Sequence, residues 1–443
     1  MAYGPAKLPV DCKNPFTHNV KSGGIIPSMK HVLIIGSGLI GLSTAYSLKQ
    51  RGVPDITIID SGPGPHGASV VNAGWITTAH SDPVGVPGMT KQALKWMLKS
   101  DSPLYIKPAI NDPEFMLWLF KFWRSLNEKS FNHATDAMVA LNEKTFPLFD
   151  EYEASGVKFE MYKEGLIMAF LSGQNLEAGL KNMERYVKYG FPMPKVYWGK
   201  DVQGLEPALS SNVNGVFHIE EERHLRPDTL TSGLIEWLGE RGVTFANNNT
   251  VVGFDINGGS VRAVEATGGR YEADAFVIAA GAYSGRIAKK AGKGLPIQAG
   301  KGYKIDYHNP PTRLTHPLSL HEPRMAVTPM GGFTRFAGTM ELSGINTIVR
   351  QERVRALSRG GRQFLRDWPE EIPTATVDSG LRPMTPDGMP IIGAMPKLHN
   401  LTVSTGHQML GLGLAPASGD ALAELIVTGK TPAVLEPFSP NRF

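Results

Sequence analysis

A strand, a glycine-spaced turn, a helix and a second strand follow one another over residues 30–62, and the same alternation returns at 226–284 and at 400–430. Between these segments lie stretches of different character, helix-rich with aromatics over 83–215 and polar and β-rich over 300–379. These observations predict an α/β fold. The expected architecture is a Rossmann-like nucleotide-binding domain assembled from residues 29–82, 216–299 and 380–443. An α+β domain carrying an antiparallel sheet is inserted as 83–215 and 300–379. Residues 1–28 are expected to be an N-terminal extension, because prolines and glycines break any periodicity there. Met29 stands directly before the first strand, so a start-site choice and an added arm explain the extension equally well.

The first unit is "VLIIGSGLIGLSTAYSLKQRGVPDITIIDSG". Residues 32–35 form an apolar run of buried-strand length. Leu42, Ala45 and Leu48 then recur at helical spacing up to Gly52, and 56–59 read as the second strand. Between strand and helix, Gly36, Gly38 and Gly41 permit a tight turn, close approach of a pyrophosphate to the backbone, and close helix packing. The helix N-terminus faces the phosphates with its partial positive charge. Asp60, ending the second strand, is placed to accept hydrogen bonds from ribose hydroxyls. A lone GxGxxG is weak, but strand, glycines, helix, strand and acid in this order predict dinucleotide binding.

The alternation breaks after Ala68 at "ASVVNAGWITT", which argues against a nicotinamide-dependent dehydrogenase. Helical stretches such as "DPEFMLWLFKFWRSL" and "NLEAGLKNMERYVKYG" follow. In "RPDTLTSGLIEWLGERGVTFANNNTVVGFDI" a helix with Leu230, Leu234 and Leu238 leads through Gly242 into a strand. "SVRAVEAT" and "AFVIAAGAYS" supply two more strands, and "NLTVSTGHQMLGLGLAPASGDALAELIVTG" a strand, a glycine-rich turn and a helix.

Composition narrows the function classes. The chain has 443 residues, 42% hydrophobic and 19% charged, enough for a large core in two domains. A net charge of +4 without Lys/Arg clusters argues against a nucleic-acid groove and leaves anionic small molecules or an acidic membrane surface as partners. The one cysteine, Cys12, excludes an internal disulfide and any multi-cysteine metal site, so no metal is expected. No run approaches the roughly 18 apolar residues that span a bilayer. A cytoplasmic location is the default.

From about residue 30 to the C-terminus the chain resembles the D-amino-acid oxidase superfamily of FAD enzymes. Within it, the similarity is greatest to the branch containing bacterial D-amino-acid dehydrogenases and glyphosate oxidoreductase. The motifs "VLIIGSGLIGLSTAYSL", "ASVVNAGWI", "AFVIAAGAYS", "KGYKI", "GLRPMTPDGMPIIG" and "TGHQMLGLGLAPASG" carry the resemblance, in this order. It implies a Rossmann-like FAD-binding domain with an inserted substrate domain, and non-covalent FAD. By resemblance, Asn72, Ala73 and Gly74 lie along the flavin near N5, and Val251 offers backbone groups to the adenine. Ala280 and Gly281 line the dinucleotide's central part, and Ser61 and Ser69 join the cofactor-binding set. Amides of Leu410, Gly411 and Leu412, before a helix, are expected to face the N1/O2 edge of the flavin and stabilise the reduced ring.

Arg382 is implied to be the catalytic arginine, pairing with a substrate carboxylate through its guanidinium fork. A structural ion pair with Asp387 is the alternative. Tyr303 resembles a hydroxyl partner on the inserted domain, with a core tyrosine as the alternative. His407 is expected either to touch the flavin edge or substrate, or only to pack. His224 is expected to be a solvated loop histidine. Met409 stands where glycine oxidase relatives carry a second arginine, which implies an apolar wall and a hydrophobic substrate side chain.

The implied reaction is oxidative deamination of an amino acid, most simply a D-amino acid, by hydride transfer from Cα to flavin N5. The products are a 2-oxo acid and ammonia. Glycine-type or secondary amines such as glyphosate, sarcosine or D-proline are alternative substrates, and a flavin-binding protein without turnover is a further reading. Oxygen, a quinone or a protein carrier would reoxidise the flavin. Phe115, Leu119, Phe122 and Leu126 recur at helical spacing with Trp118 and Trp123 nearby, so this helix either dips into a membrane surface near a quinone or packs on its own domain. Nothing in the sequence bears on oligomeric state.

Overall fold

The computed structural model describes residues 29–64, 66–88, 104–106, 112–369 and 375–443. The expected extension at 1–28 lies outside them. A six-stranded sheet runs in the order Thr244–Ala246, Asp55–Ile59, His31–Ile35, Ala275–Ile278, Leu401–Thr405, Ile391–Ala394. The first five strands are parallel and the last pair antiparallel. The central strand His31–Ile35 is apolar and buried from Val32 to Ile35 because both faces are covered. Val32 and Ile34 pack in the core that includes the helices Leu39–Gln50, Pro227–Gly239 and Gly411–Thr428, while Leu33 and Ile35 pack with residues of the small sheet Val251–Asn257, Ser260–Ala266, Gly269–Glu272. The helices Leu39–Gln50 and Gly411–Thr428 touch backbone to backbone: a Cβ on Gly419 would come 2.6 Å from the Ser43 carbonyl carbon.

The second large sheet has nine strands. Its path is Ala375–Met384, Gln298–His308, Phe333–Leu342, Met325–Met330, Leu318–Leu320, Leu166–Phe170, Gly215–Ile219, Lys195–Trp198, with Leu104–Ile106 beside the end of Phe333–Leu342. Ile305, Tyr307, Val327, Phe336 and Leu357 of the helix Gln351–Arg362 form the core on one face. The other face meets the short helix Ala68–Val71: a Cβ on Gly380 would collide with Val71.

Two strands depart from the expected segment limits. Gly215–Ile219, placed almost wholly in the nucleotide-binding segment, pairs with Leu166–Phe170 and Lys195–Trp198 in the nine-stranded sheet. The limit between 379 and 380 falls inside Ala375–Met384, which pairs with Gln298–His308 residue by residue from Ala375 to Met384. The run of glycine and proline resembles a turn, but this strand lies at the sheet edge, where the missing N–H of Pro383 costs no ladder bond.

The helix Pro113–Ser125 is capped by Asp112, whose carboxylate accepts from Phe115 N at 3.0 Å, with proline in its first turn. Its inner face, Phe115, Trp118, Leu119 and Phe122, packs on Met340 and Met384. Trp118 Nε1 donates to the Met384 carbonyl at 3.2 Å and Ser125 Oγ to the Pro386 carbonyl at 2.7 Å. The inner face thus clamps the end of the strand that carries Arg382.

Candidate functional site

The glycine turn is dictated by close approach. Gly36 has φ +115, and a Cβ there would sit 2.5 Å from the Ala279 carbonyl oxygen; a Cβ on Gly41 would run into the Gly36 carbonyl. Gly38 precedes the helix Leu39–Gln50 and offers it no side-chain cap. Ser69 Oγ reaches across to accept from Leu39 N at 3.0 Å, and a Cβ on Gly38 would lie 3.0 Å from that oxygen. The Asp60 carboxylate accepts from Ser37 N at 2.8 Å, Ser37 Oγ at 2.9 Å and Gly62 N at 2.8 Å, which fixes it at the end of its strand. Ser61 beside it is exposed.

The segment after this turn is held from two sides. Asn72 Nδ2 donates to the carbonyls of Ala68 and Ser69 at 3.0 and 2.9 Å, and its Oδ1 accepts from Gly74 N at 2.9 Å, which shapes a turn in which Gly74 has φ +79. From the nine-stranded sheet, Arg335 Nη1 donates to the Val70 and Asn72 carbonyls, each at 2.9 Å, while Nε and Nη2 grip Asp306 at 2.7 and 3.0 Å. Thr328 Oγ1 donates to the Ala73 carbonyl at 2.8 Å and accepts from Trp75 Nε1 at 2.9 Å.

A third turn completes the enclosure. The helix Gly411–Thr428 has Leu410 as its N-cap and no side-chain cap, so its first-turn amides are not spent on a side chain of that residue. Gln408 N donates to the Pro383 carbonyl at 3.2 Å, and Gln408 Nε2 to Thr385 Oγ1 at 2.9 Å, which ties the turn to the strand bearing Arg382. A Cβ on Gly413 would lie 3.8 Å from Ile76, just beyond the Asn72–Gly74 turn. Gly281 has φ +53 and its carbonyl accepts from Thr405 Oγ1 at 3.0 Å, beside Ala280. The Val251 carbonyl already accepts from Lys290 Nζ at 2.8 Å.

Arg382 stands on the face of the nine-stranded sheet that meets Ala68–Val71, opposite Gly300. Met340 and Met384 flank it, since a Cβ on Gly300 would meet both. Nη1 donates to the Thr339 carbonyl at 3.0 Å. Among the described residues no carboxylate pairs with it. The residue keeps some contact with water, yet it is enclosed deeply enough that desolvation lowers its pKa to about 10. The alternative ion pair is absent: Asp387 is taken by Arg442, whose Nε lies 2.7 Å from Oδ2.

Two expected partners are elsewhere. Tyr303 lies on the opposite face, because Gly302 shares the Arg382 face and neighbouring residues of a strand alternate. It is 1% exposed and its hydroxyl donates to Glu341 Oε2 at 2.7 Å, so it does not meet Arg382 across a substrate. His407 is buried against the C-terminal helix, with Nε2 3.0 Å from Ser418 Oγ, and burial pushes its pKa down to about 3. Burial keeps it neutral. His224, expected in solvent, is buried in a short strand opposite Trp75, stacked on Tyr162 at 4.8 Å, and burial lowers its pKa to about 4. Met409 is 56% exposed.

Sequence reasoning missed Arg335, Asp306 and Glu222. Arg335 could have been found as the charge inside the otherwise uncharged strand "GFTRFAG", and Asp306 as the acid at alternate spacing from Lys304 in "YKIDYH". Glu222 is fully buried and accepts from Thr78 N and Ala79 N at 2.8 and 2.7 Å; burial lifts its carboxyl to about 8. It anchors the chain that follows Trp75.

A glycine cradle with no room for a Cβ, an acid fixed at the end of the second strand and a second helix N-terminus without a side-chain cap make up a donor set that fits FAD. The family model described as "FAD dependent oxidoreductase", DAO, matches residues 31–425. The D-amino acid dehydrogenase of Granulibacter bethesdensis is 31% identical over 424 residues, covering 91% of this chain and 97% of that protein. Among solved structures, L-proline dehydrogenase from P. horikoshii superimposes with a TM-score of 0.72 at 19% identity, covering 94% of this chain and 98% of that one. Glycine oxidase from Geobacillus kaustophilus gives 0.71 at 22%, covering 93% and 98%. With a turn built for a dinucleotide and a family match over nearly its whole described length, this chain belongs to the DAO family of FAD-dependent oxidoreductases.

Proposed function

We propose that this protein oxidatively deaminates D-amino acids, preferring those with apolar side chains. The observation that carries the reading is Arg382, a desolvated guanidinium whose hydrogen-bond partner among the described residues is the Thr339 carbonyl, on the sheet face that meets the helix Ala68–Val71. A carboxylate supplies the counter-charge it lacks, and a fork of N–H donors fixes a carboxylate's plane as well as its position. Met340 and Met384 give an apolar wall beside it. FAD held in the cradle supplies the oxidant, and the imino acid product hydrolyses in water to the 2-oxo acid and ammonia. The Gly36–Gly41 turn and Asp60 hold the dinucleotide, with Ser61, Ser69, Val251, Ala280 and Gly281 along its length. The Asn72–Gly74 turn and the Leu410–Leu412 amides present backbone to the ring. The similarity to curated D-amino acid dehydrogenases supports the choice of substrate. Anaerobic bleaching of the yellow protein by a panel of D- and L-amino acids, glycine, sarcosine and glyphosate tests it; bleaching by glyphosate or sarcosine but by no D-amino acid refutes it.

We further propose that electrons leave at a membrane surface, to a quinone. No helix among the described residues is long and apolar enough to cross a membrane. Met116, Leu117, Phe120 and Trp123, 45–60% exposed, form one outward face of the helix Pro113–Ser125. Lys121 and Arg124 on the same helix, and Lys289 ion-paired to Glu114, place cations beside it. Such a face suits an anionic lipid surface. Leu117→Glu with Phe120→Glu should abolish sedimentation with anionic vesicles while sparing bleaching by substrate; unchanged sedimentation refutes the proposal.

A further inference from the structure

The berth of the Arg382 guanidinium is built by two residues outside the assigned site. We infer that Gly302 and Thr339 are positioning residues that set where the substrate carboxylate binds, an inference that rests on reading Arg382 as the carboxylate's partner. Gly302 lies in the strand Gln298–His308, two residues from Gly300, the pairing partner of Arg382. A Cβ at Gly302 would fall 2.5 Å from both Cζ and Nη2 of Arg382 and closer still to Nη1. Its backbone is not left-handed, so conformational freedom does not explain a glycine here. Space does: the guanidinium occupies the place a side chain would take.

Thr339 supplies the other half. It has φ +63, a region that a β-branched residue avoids. It sits where the pairing of Phe333–Leu342 with Gln298–His308 slips, Lys301 standing opposite Glu341 but Tyr303 opposite Gly338. Two residues thus face one, a bulge that turns the Thr339 carbonyl out of the ladder and onto Arg382 Nη1. Strain of this kind persists only where the surroundings impose it, and it gathers at functional sites. Gly302 clears the place for the fork and Thr339 pins one end, leaving its remaining N–H groups for a carboxylate.

The test compares wild type, Gly302→Ala, Arg382→Met and the double variant as flavin-loaded proteins. Two quantities are read: anaerobic reduction against D-alanine concentration, and the thermal shift produced by propionate, with chloride as the ionic-strength control. Gly302→Ala should keep its flavin and absorption spectrum. Its half-saturating D-alanine concentration should rise on the order of 10–100-fold, with a smaller fall in the limiting rate, and the propionate shift should vanish. The double variant should be no worse than Arg382→Met, because the added methyl acts only through the guanidinium. Wild-type saturation and propionate shift in Gly302→Ala, alongside their loss in Arg382→Met, overturn the inference. Their retention in Arg382→Met overturns the carboxylate reading itself. Should Gly302→Ala prove insoluble, the double variant decides: recovery of soluble flavoprotein supports a clash with Arg382 alone, and continued insolubility overturns it.

Discussion

Arg382→Met is expected to strengthen the fold while nearly abolishing turnover, and both halves can be worked from the surroundings of the side chain. A guanidinium whose pKa falls to about 10, well below the usual arginine range, is less stable charged in the folded chain than in the unfolded one, by about 3 kcal/mol. Methionine fills much of the same volume and carries no charge. It forfeits the bond to the Thr339 carbonyl, a loss of about 1–2 kcal/mol. The balance is a gain of about 1–2 kcal/mol, read as a melting temperature a few degrees higher. The substrate carboxylate, entering a site without its counter-charge, should lose about 2–5 kcal/mol, or about 30-fold to several thousand-fold in kcat/KM. Arg382→Lys should recover only part of the activity, since an ammonium keeps the charge but not the fork. Asp387→Ala breaks the pair with Arg442 and should lower the melting temperature while leaving the response to substrate concentration unchanged. Melting temperature, flavin content and anaerobic reduction by D-alanine measured on all variants check the scheme. Unchanged reduction kinetics in Arg382→Met, or a large loss of stability, would refute the reasoning.

Gly38→Val should purify with little or no FAD, because its Cβ would lie 3.0 Å from Ser69 Oγ and its branches would stand where the pyrophosphate must approach the backbone; full flavin occupancy contradicts the cradle. Glu222, with its carboxyl lifted to about 8, binds a proton more tightly when folded. Its contribution is therefore fully present below about pH 4.5 and is lost as pH rises towards 8, about 5 kcal/mol across that window. Glu222→Gln should flatten the fall in denaturation midpoint between those pH values, and an identical slope in the variant sinks the assignment. Arg335→Met leaves Asp306 with Lys304 as its remaining partner and should cost about 1–3 kcal/mol, with weakened FAD retention on dilution; wild-type retention would show that the grip on Asn72 does not matter.

The nucleotide-binding half was legible because its signals are local. Glycine spacing, an apolar strand and a terminal acid all lie within residues 31–60, and the partners they need, Ser37 and Gly62 for Asp60, are close in sequence. Arg382 was legible as a charge among glycines and prolines, and its freedom from Asp387 follows from Arg442, 55 residues beyond that acid. Tyr303 was not. Whether it or Gly302 faces the flavin side depends on the register between Gln298–His308 and Ala375–Met384, which no local pattern reveals. His224 was misplaced for a related reason: its burial comes from Tyr162 and Trp75, both distant in sequence, and only packing decides it.

The hold of Arg335 and Thr328 on the carbonyls of Val70, Asn72 and Ala73 bears on how a substrate gets in. Many two-domain enzymes admit substrate by swinging one half away from the other about a hinge. Here such a swing would pull a buried arginine off two carbonyls and a threonine off a third. Hydrogen bonds from a charged group contribute about 1.5–3 kcal/mol each, so parting the halves along this seam carries a cost on the order of several kcal/mol. The grip of the sheet on this turn therefore favours substrate entry that leaves the seam closed.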